Sequence, residues 1–280
     1  MSKTNLHLFT GKGGVGKTTL AMAFAHYLKE QGEEVIYTSI TSSNIKDKTI
    51  HESHHDVLNA LGIPYLDLVL ADCAEAYIAK KMNSKLIASA VVKTPFFKSL
   101  INMIPGFSYL IFMGRILEEI HYSNQKKIIV FDSPASGHTL TLLESTQNFH
   151  DIFQSGLLFE DTKKMLELIH GTEFMKIHIV TNLTEMSLSE GIELKGTIKN
   201  LGFQNIATIA NNAMVLIPHI EEEKNLPDFI NGKIKLEKEL LNEFQNKIQS
   251  FVPHVPLTDS VSVINALAPY MESLVKSSPN

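Results

Sequence analysis

Short apolar runs recur along the chain at residues 6–9, 35–40, 127–131, 177–180, 206–210 and 251–255, each closed by polar or turn-forming residues. Unbroken β-rich runs of this length read as strands buried on both faces, as in a parallel sheet. Between them the period lengthens. Residues 17–31 (KTTLAMAFAHYLKEQ) read as a helix stopped by Gly32, and Leu236, Leu240, Phe244 and Ile248 repeat at helical spacing within residues 221–250. Residues 261–275 are also helix-like. The pattern departs from this alternation over residues 48–122, which hold no strand signal. They read instead as helical stretches at 72–80, 85–92, 96–104 and 109–120. Strands alternating with helices predict an α/β fold, a mostly parallel central sheet flanked by helices. One domain over residues 1–280, with a helical subdomain inserted at about 48–122, accounts for the whole pattern.

The turn after the first strand carries candidate chemistry. Residues 9–19 read FTGKGGVGKTT and fit GxxxxGK[ST], in the strand, loop, helix order that a phosphate loop requires. Gly13, Gly14 and Gly16 can take positive φ and let backbone N–H groups converge on an anion, and the helix starting at Lys17 adds its positive end. Gly13, Gly14, Val15, Gly16, Lys17, Thr18 and Thr19 are therefore the expected ATP contacts. Lys17 is expected at the β- and γ-phosphates and the Thr18 hydroxyl on Mg²⁺. The run at 127–131 ends in Asp132, a carboxylate expected on the Mg²⁺ side of the phosphates and so, with Thr18, a metal residue.

Composition narrows the partners. The net charge of −5 gives no global positive field, so nucleic acid is not an expected partner. Cys73 is the only cysteine, which excludes an internal disulfide and a CxxC zinc clasp and suits the cytoplasm. No signal peptide is read at the start. The longest uncharged segment, 99–114, is broken by Pro105-Gly106 and is shorter than the ~20 residues a spanning helix needs, so direct membrane insertion is not expected. His51, His54 and His55 form a small cluster and read as solvated loop residues. Residues 96–113 are more apolar than one helix face needs, either as core or as a groove for a hydrophobic protein client.

Lys12, one residue after Gly11, makes the loop KGGVGKTT, and residues 132–140 read DSPASGHTL. Together they resemble the arsenical-pump and tail-anchored-protein-targeting ATPase family, a group of phosphate-loop ATPases with a second, early lysine. The VTNLTEMSLSE segment at 180–190 and Asn211 after the fifth strand fit the same pattern. The resemblance implies an ATP- and Mg²⁺-dependent ATPase that closes as a homodimer, or as a heterodimer with a related ATPase, and hands on a client. It implies that Lys12 reaches the partner's nucleotide, that Asn211 reads the adenine and that Pro256 opens a loop beside the base, with Asn212 the competitor of Asn211. Lys12, Lys17 and Asp132 are the catalytic candidates on this reading. Membrane- or chromosome-positioning ATPases of the division-site type share the early lysine but lack GHTL. One departure stands out. The family's water-orienting aspartate after the second strand is replaced by Ile40 in SITS, with Ser39, Thr41 or Asn44 as substitutes, and no acid occurs between Val35 and Asp47. Slow hydrolysis is expected, and the alternative is a weakly hydrolysing regulatory subunit of a heterodimer.

Overall fold

The computed structural model describes residues 4–40, 48–121, 127–220, 226–256 and 258–276. Six strands form one sheet: β1 (Leu6–Thr10), β2 (Glu34–Ser39), β3 (Lys127–Asp132), β4 (Met175–Asn182), β5 (Ile206–Ala213) and β6 (Ser250–Pro253). Their spatial order is β2-β3-β1-β4-β5-β6 and every pairing is parallel. The fold is therefore α/β with an all-parallel sheet. The carboxyl ends of all six strands lie along one edge, and the chain reverses its direction of winding at β1. That is where open parallel sheets bind ligands.

Helix α1 (Lys17–Glu30) follows β1 directly and ends as Gly32 takes φ 81°. Between β2 and β3 lie α2 (Lys48–Ala60), α3 (Leu70–Met82), α4 (Lys85–Lys93), α5 (Pro95–Met103) and α6 (Phe107–His121). After β3 come α7 (Ser136–Ile152) and α8 (Leu157–Ile169), then α9 (Glu185–Asn200) after β4 and α10 (Asp228–Phe244) after β5. The chain closes with α11 (Ser260–Leu267), a 3₁₀ turn and α12 (Glu272–Lys276).

Side chains alternate across a strand, and the two faces have separate cores. Val35, Tyr37, Ile128, Val130 and Val252 pack under α1 with Leu20, Phe24, Ile264 and Met271. Leu6, Leu8, Ile129, Phe131, Ile177 and Ile179 face the other way, onto Phe112, Ile116, Leu142 and Ile198. This parity decides which residues at the strand ends share a face with α1.

Three expectations change. The histidine cluster lies on helix α2, where the ring of His55 packs 4.2 Å from Tyr65 and its Nε2 is 3.7 Å from the Asp67 carboxylate; the His51 side chain is outside the described residues. No group of three metal-ligating residues exists among the described residues. Residues 63–66 run beside β2, through the bridge Tyr37↔Tyr65 and hydrogen bonds Tyr37 N–H to Pro64 O (2.9 Å) and Leu66 N–H to Tyr37 O (2.9 Å). The last strand ends at Pro253 rather than 255, and His254 N–H makes the final bond of the β5–β6 ladder, to Ala213 O at 3.0 Å.

The apolar 96–113 stretch divides. Phe97, Phe107 and Leu110 build a small core with Ala74 and Phe149, whereas Phe96 and Met103 are 75% and 77% exposed. The Leu100 side chain lies outside the described residues, as do residues 41–47, with Thr41, Asn44 and Asp47, and Leu257. No described helix is long and apolar enough to cross a membrane.

Candidate functional site

The loop from Gly11 to Thr19 leaves the end of β1 at the centre of the sheet and turns into α1. Its shape depends on two close approaches. A Cβ on Gly11 (φ 144°) would collide with the Val180 carbonyl of β4, and one on Gly16 (φ 87°) would collide with the Asn211 amide. Positive φ occurs at Gly11, Gly14 and Gly16 and not at Gly13, which corrects the expectation for Gly13. Left-handed backbone at Gly16 caps α1 without a side chain, and no acidic residue sits in the first turn. Its N–H groups are thus left open to an anion. Val15 anchors the loop by burying its side chain in the core, while its carbonyl accepts from Asn211 Nδ2 at 2.9 Å.

Lys17, Thr18 and Thr19 open α1. Lys17 Nζ donates to the Lys12 carbonyl at 3.1 Å, folding back across the loop. Burial lowers its pKa and the nearby Asp132 charge opposes that. Thr18 Oγ1 donates to Asp132 Oδ2 at 2.7 Å, so β3 and α1 bring together the hydroxyl and carboxylate singled out in the sequence. Asp132 is 5% exposed, and its Oδ1 is buried with no partner. Desolvation raises its pKa to about 6, opposed by the Thr18 hydrogen bond, the Lys17 charge and the Tyr37 hydroxyl.

An orphaned carboxylate oxygen normally costs ~1–3 kcal/mol or more. Here it lies on the carboxylate that Thr18 holds, at the start of α1. Hard oxygen donors of this kind suit Mg²⁺, which keeps much of its shell as water and phosphate. The residues present therefore fit a Mg²⁺-nucleotide. Thr18 and Asp132 would hold the ion, which when bound neutralises phosphate charge.

The segment after Asp132 is tied to the end of β1. Ser133 Oγ donates to Phe9 O (2.7 Å), Ser136 N–H to Gly11 O (3.2 Å), and Thr10 Oγ1 to Thr139 Oγ1 (2.9 Å). Any shift of this segment therefore pulls on the loop. At the end of β4, Thr184 caps α9 by accepting from Ser187 N–H at 3.4 Å, and Ser187 Oγ accepts from Asn182 N–H at 2.9 Å. That is the local reason for Thr and Ser in this stretch.

Lys12 is half exposed and pairs with Glu190 of α9, Nζ to Oε1 2.7 Å. Asn211 spends its Nδ2 on the loop, while Asn212 (φ 63°) has its Oδ1 2.5 Å from His254 Nδ1, joining the ends of β5 and β6. Pro256 follows β6 and is exposed on the same sheet edge. Ile40 does not face the loop. It is one residue out of phase with Asp132, 6% exposed, and its side chain belongs to the opposite core with Phe131 and Leu68.

Two residues escaped the sequence reading. Glu190 carries no signal beyond its place in a family-like segment. Tyr37 is the one phenol in β2, and a fully buried hydroxyl demands a partner; its OH lies 3.2 Å from Asp132 Oδ2.

Residues 4–157 match the model of the anion-transporting ATPase family. The chain is 23% identical to ATPase BagA of Mycobacterium tuberculosis over 214 residues, 69% of this chain and 60% of that protein. It is 25% identical to an arsenical pump-driving ATPase of Escherichia coli over 243 residues, 78% of this chain and 40% of that protein. A protein of Aquifex aeolicus that bears the name of an arsenical pump-driving ATPase is 23% identical over 273 residues, 85% of this chain and 87% of its own length. The matched part of the chain thus spans 60% of the mycobacterial relative and less than half of the Escherichia coli one. The family match covers more than half of the chain and takes in the glycine-rich loop, Asp132 and the segment that follows it, so the protein belongs to the anion-transporting ATPase family.

Proposed function

We propose that this ATPase holds Mg²⁺-ATP between the loop at residues 11–19 and Asp132, and converts nucleotide state into closure of a dimer that handles a client. The observation that carries the reading is the buried, unpartnered Oδ1 of Asp132 beside the Thr18 hydroxyl, next to an anion-ready helix start. Lys17, released from the Lys12 carbonyl, would neutralise the β- and γ-phosphates. Gly13, Gly14, Val15, Gly16 and Thr19 would supply backbone N–H groups. Asn211 would meet the base beside the loop it already braces, with Pro256 on the same edge. Lys12 would leave Glu190 for the nucleotide of a second subunit, of the same chain or a related one.

Closure is transmitted through the segment after Asp132, whose Ser133, Ser136 and Thr139 are bonded to the end of β1 and to Gly11. The client is a hydrophobic protein, a reading supported by Leu86, Phe96 and Met103, which are 87%, 75% and 77% exposed on α4 and α5. Hydrolysis by the chain alone is slow, because no carboxylate stands at Ile40 and its side chain is buried away from the loop. The same burial favours a second reading, a regulatory half of a heterodimer that binds ATP and barely turns it over.

Calorimetric titration with ATP tests the assignment. Lys17→Ala removes the charge on the phosphates and is expected to weaken binding more than tenfold, about 1.4 kcal/mol or more. Equal affinities would reject the site. Phosphate release by the isolated chain separates the two readings: rapid turnover that Lys17→Ala abolishes rules out the regulatory subunit.

A further inference from the structure

Tyr37 stands on β2, packed under α1 and completely buried. In the β2–β3 register Tyr37 is opposite Val130 and Ser39 is opposite Asp132. Residues two apart share a face, so Tyr37 and Asp132 are diagonal neighbours on the α1 side, a span that an aromatic side chain bridges. The phenol OH reaches Asp132 Oδ2 at 3.2 Å, the same oxygen that Thr18 Oγ1 reaches at 2.7 Å. Two hydroxyls thus crowd onto one oxygen and leave Oδ1 without a partner.

A carboxylate turns about a broad, roughly two-fold torsion, so a single donor does not fix which oxygen faces which way. Thr18 is a poor sole anchor. If its oxygen takes a position on a cation, its geometry changes with that ion. The Tyr37 ring cannot follow such a change. It lies 6.1 Å from the ring of Tyr65, whose hydroxyl is 2.9 Å from Ser39 Oγ, and its backbone is bonded on both sides to residues 64 and 66.

We propose that Tyr37 is a positioning residue for the cation that accompanies the nucleotide: its hydroxyl pins Asp132 Oδ2 and so presents Oδ1 to the ion held with Thr18. This rests on the reading of Asp132 as a metal residue. Tyr37 touches neither nucleotide nor ion and acts only through Asp132. A phenylalanine there would fill the same core but leave the carboxylate on one donor.

The test separates metal from nucleotide. ATP is titrated into the full chain in EDTA. Mn²⁺ binding to the ATP-loaded chain is then followed by its electron paramagnetic resonance signal, for wild type, Tyr37→Phe and Asp132→Asn. Tyr37→Phe is expected to leave metal-free ATP affinity within about twofold and to weaken Mn²⁺ about tenfold, the lower end of what loss of an outer-shell partner costs. Wild-type Mn²⁺ affinity in Tyr37→Phe overturns the proposal. Equal losses with and without metal also overturn it, since Tyr37 would then support the fold and not the ion. Should Asp132→Asn leave Mn²⁺ binding intact, the reading of Asp132 as a metal residue fails first and the role of Tyr37 with it. Metal-free ATP binding, measured on each variant, shows that each is folded.

Discussion

His7 and His178 sit on β1 and β4, in the middle of the sheet. They lie on neighbouring strands with Nδ1 of one 3.0 Å from Nε2 of the other, stacked among Phe9 and Phe24, and each has a second ring nitrogen without a partner. Burial, with the Lys176 charge, pushes the His7 pKa down to about 3, and burial, with His7 and Lys176, holds His178 well below the usual value. In the unfolded chain both protonate near pH 6.5; in the folded protein they stay neutral. Below that value the unfolded state binds more protons, so stability falls as pH falls, by about 1.4 kcal/mol per pH unit for each histidine. Urea unfolding midpoints between pH 7.5 and 5 are expected to drop for the wild type and to flatten in the double variant His7→Leu, His178→Leu. Parallel slopes would show that the acid sensitivity lies elsewhere. At this scale the sequence names Lys17, Thr18 and Asp132 by motif, but it hides the contacts of Tyr37 and Glu190. These join residues 95 and 178 positions apart through sheet register and the β4–α9 turn, which no local pattern encodes.

Strand phase governs the element scale. Because Ile40 is one position out of step with Ser39, its side chain enters the core under the face opposite α1. A family-style aspartate introduced there is a buried, unpaired charge before it is a water ligand. Ile40→Asp is expected to destabilise the chain by on the order of 3–5 kcal/mol in urea unfolding, without restoring rapid phosphate release. A variant as stable as wild type and faster in turnover would show that the end of β2 rotates when nucleotide binds. The loop before α1 is set just as tightly. Gly16→Ala puts a methyl group into the Asn211 amide and an alanine at φ 87°, so it is expected to cost stability and weaken ATP binding together. Elements with a strong period were legible: the strands and α1, α3, α4, α5 and α6 fall within two residues of the predicted bounds at almost every end. Helix α2 was not, since its histidines and polar residues resemble a loop until Leu58 and Val57 are seen packed against the α1 face.

At the scale of the molecule, the Lys12–Glu190 pair ties the glycine-rich loop to α9, and the proposed closure onto a second subunit would have to break it. With nucleotide bound, Lys12→Ala is expected to weaken self-association, read by light scattering with a non-hydrolysable ATP analogue. Glu190→Gln is expected to strengthen it by at most about fivefold, since a half-exposed ion pair is worth ~1 kcal/mol or less. A mass that stays monomeric at high concentration in both variants and in wild type points to a different, related subunit as the partner.

The sequence by itself determined the α/β class, the place of the glycine-rich loop, the lysine and hydroxyl that follow it, and the carboxylate at the end of β3. Each is written in residues close together in the chain: apolar runs of strand length, glycines where the backbone must turn, and a motif with fixed spacing. The tertiary structure alone decided the order β2-β3-β1-β4-β5-β6, the pairing of Lys12 with Glu190, the turning of Ile40 into the far core and the seating of the Tyr37 hydroxyl on Asp132. All four depend on which strands become neighbours and in what register. That choice is made by the packing of two cores on opposite faces of one sheet, where a shift of a single residue exchanges the faces.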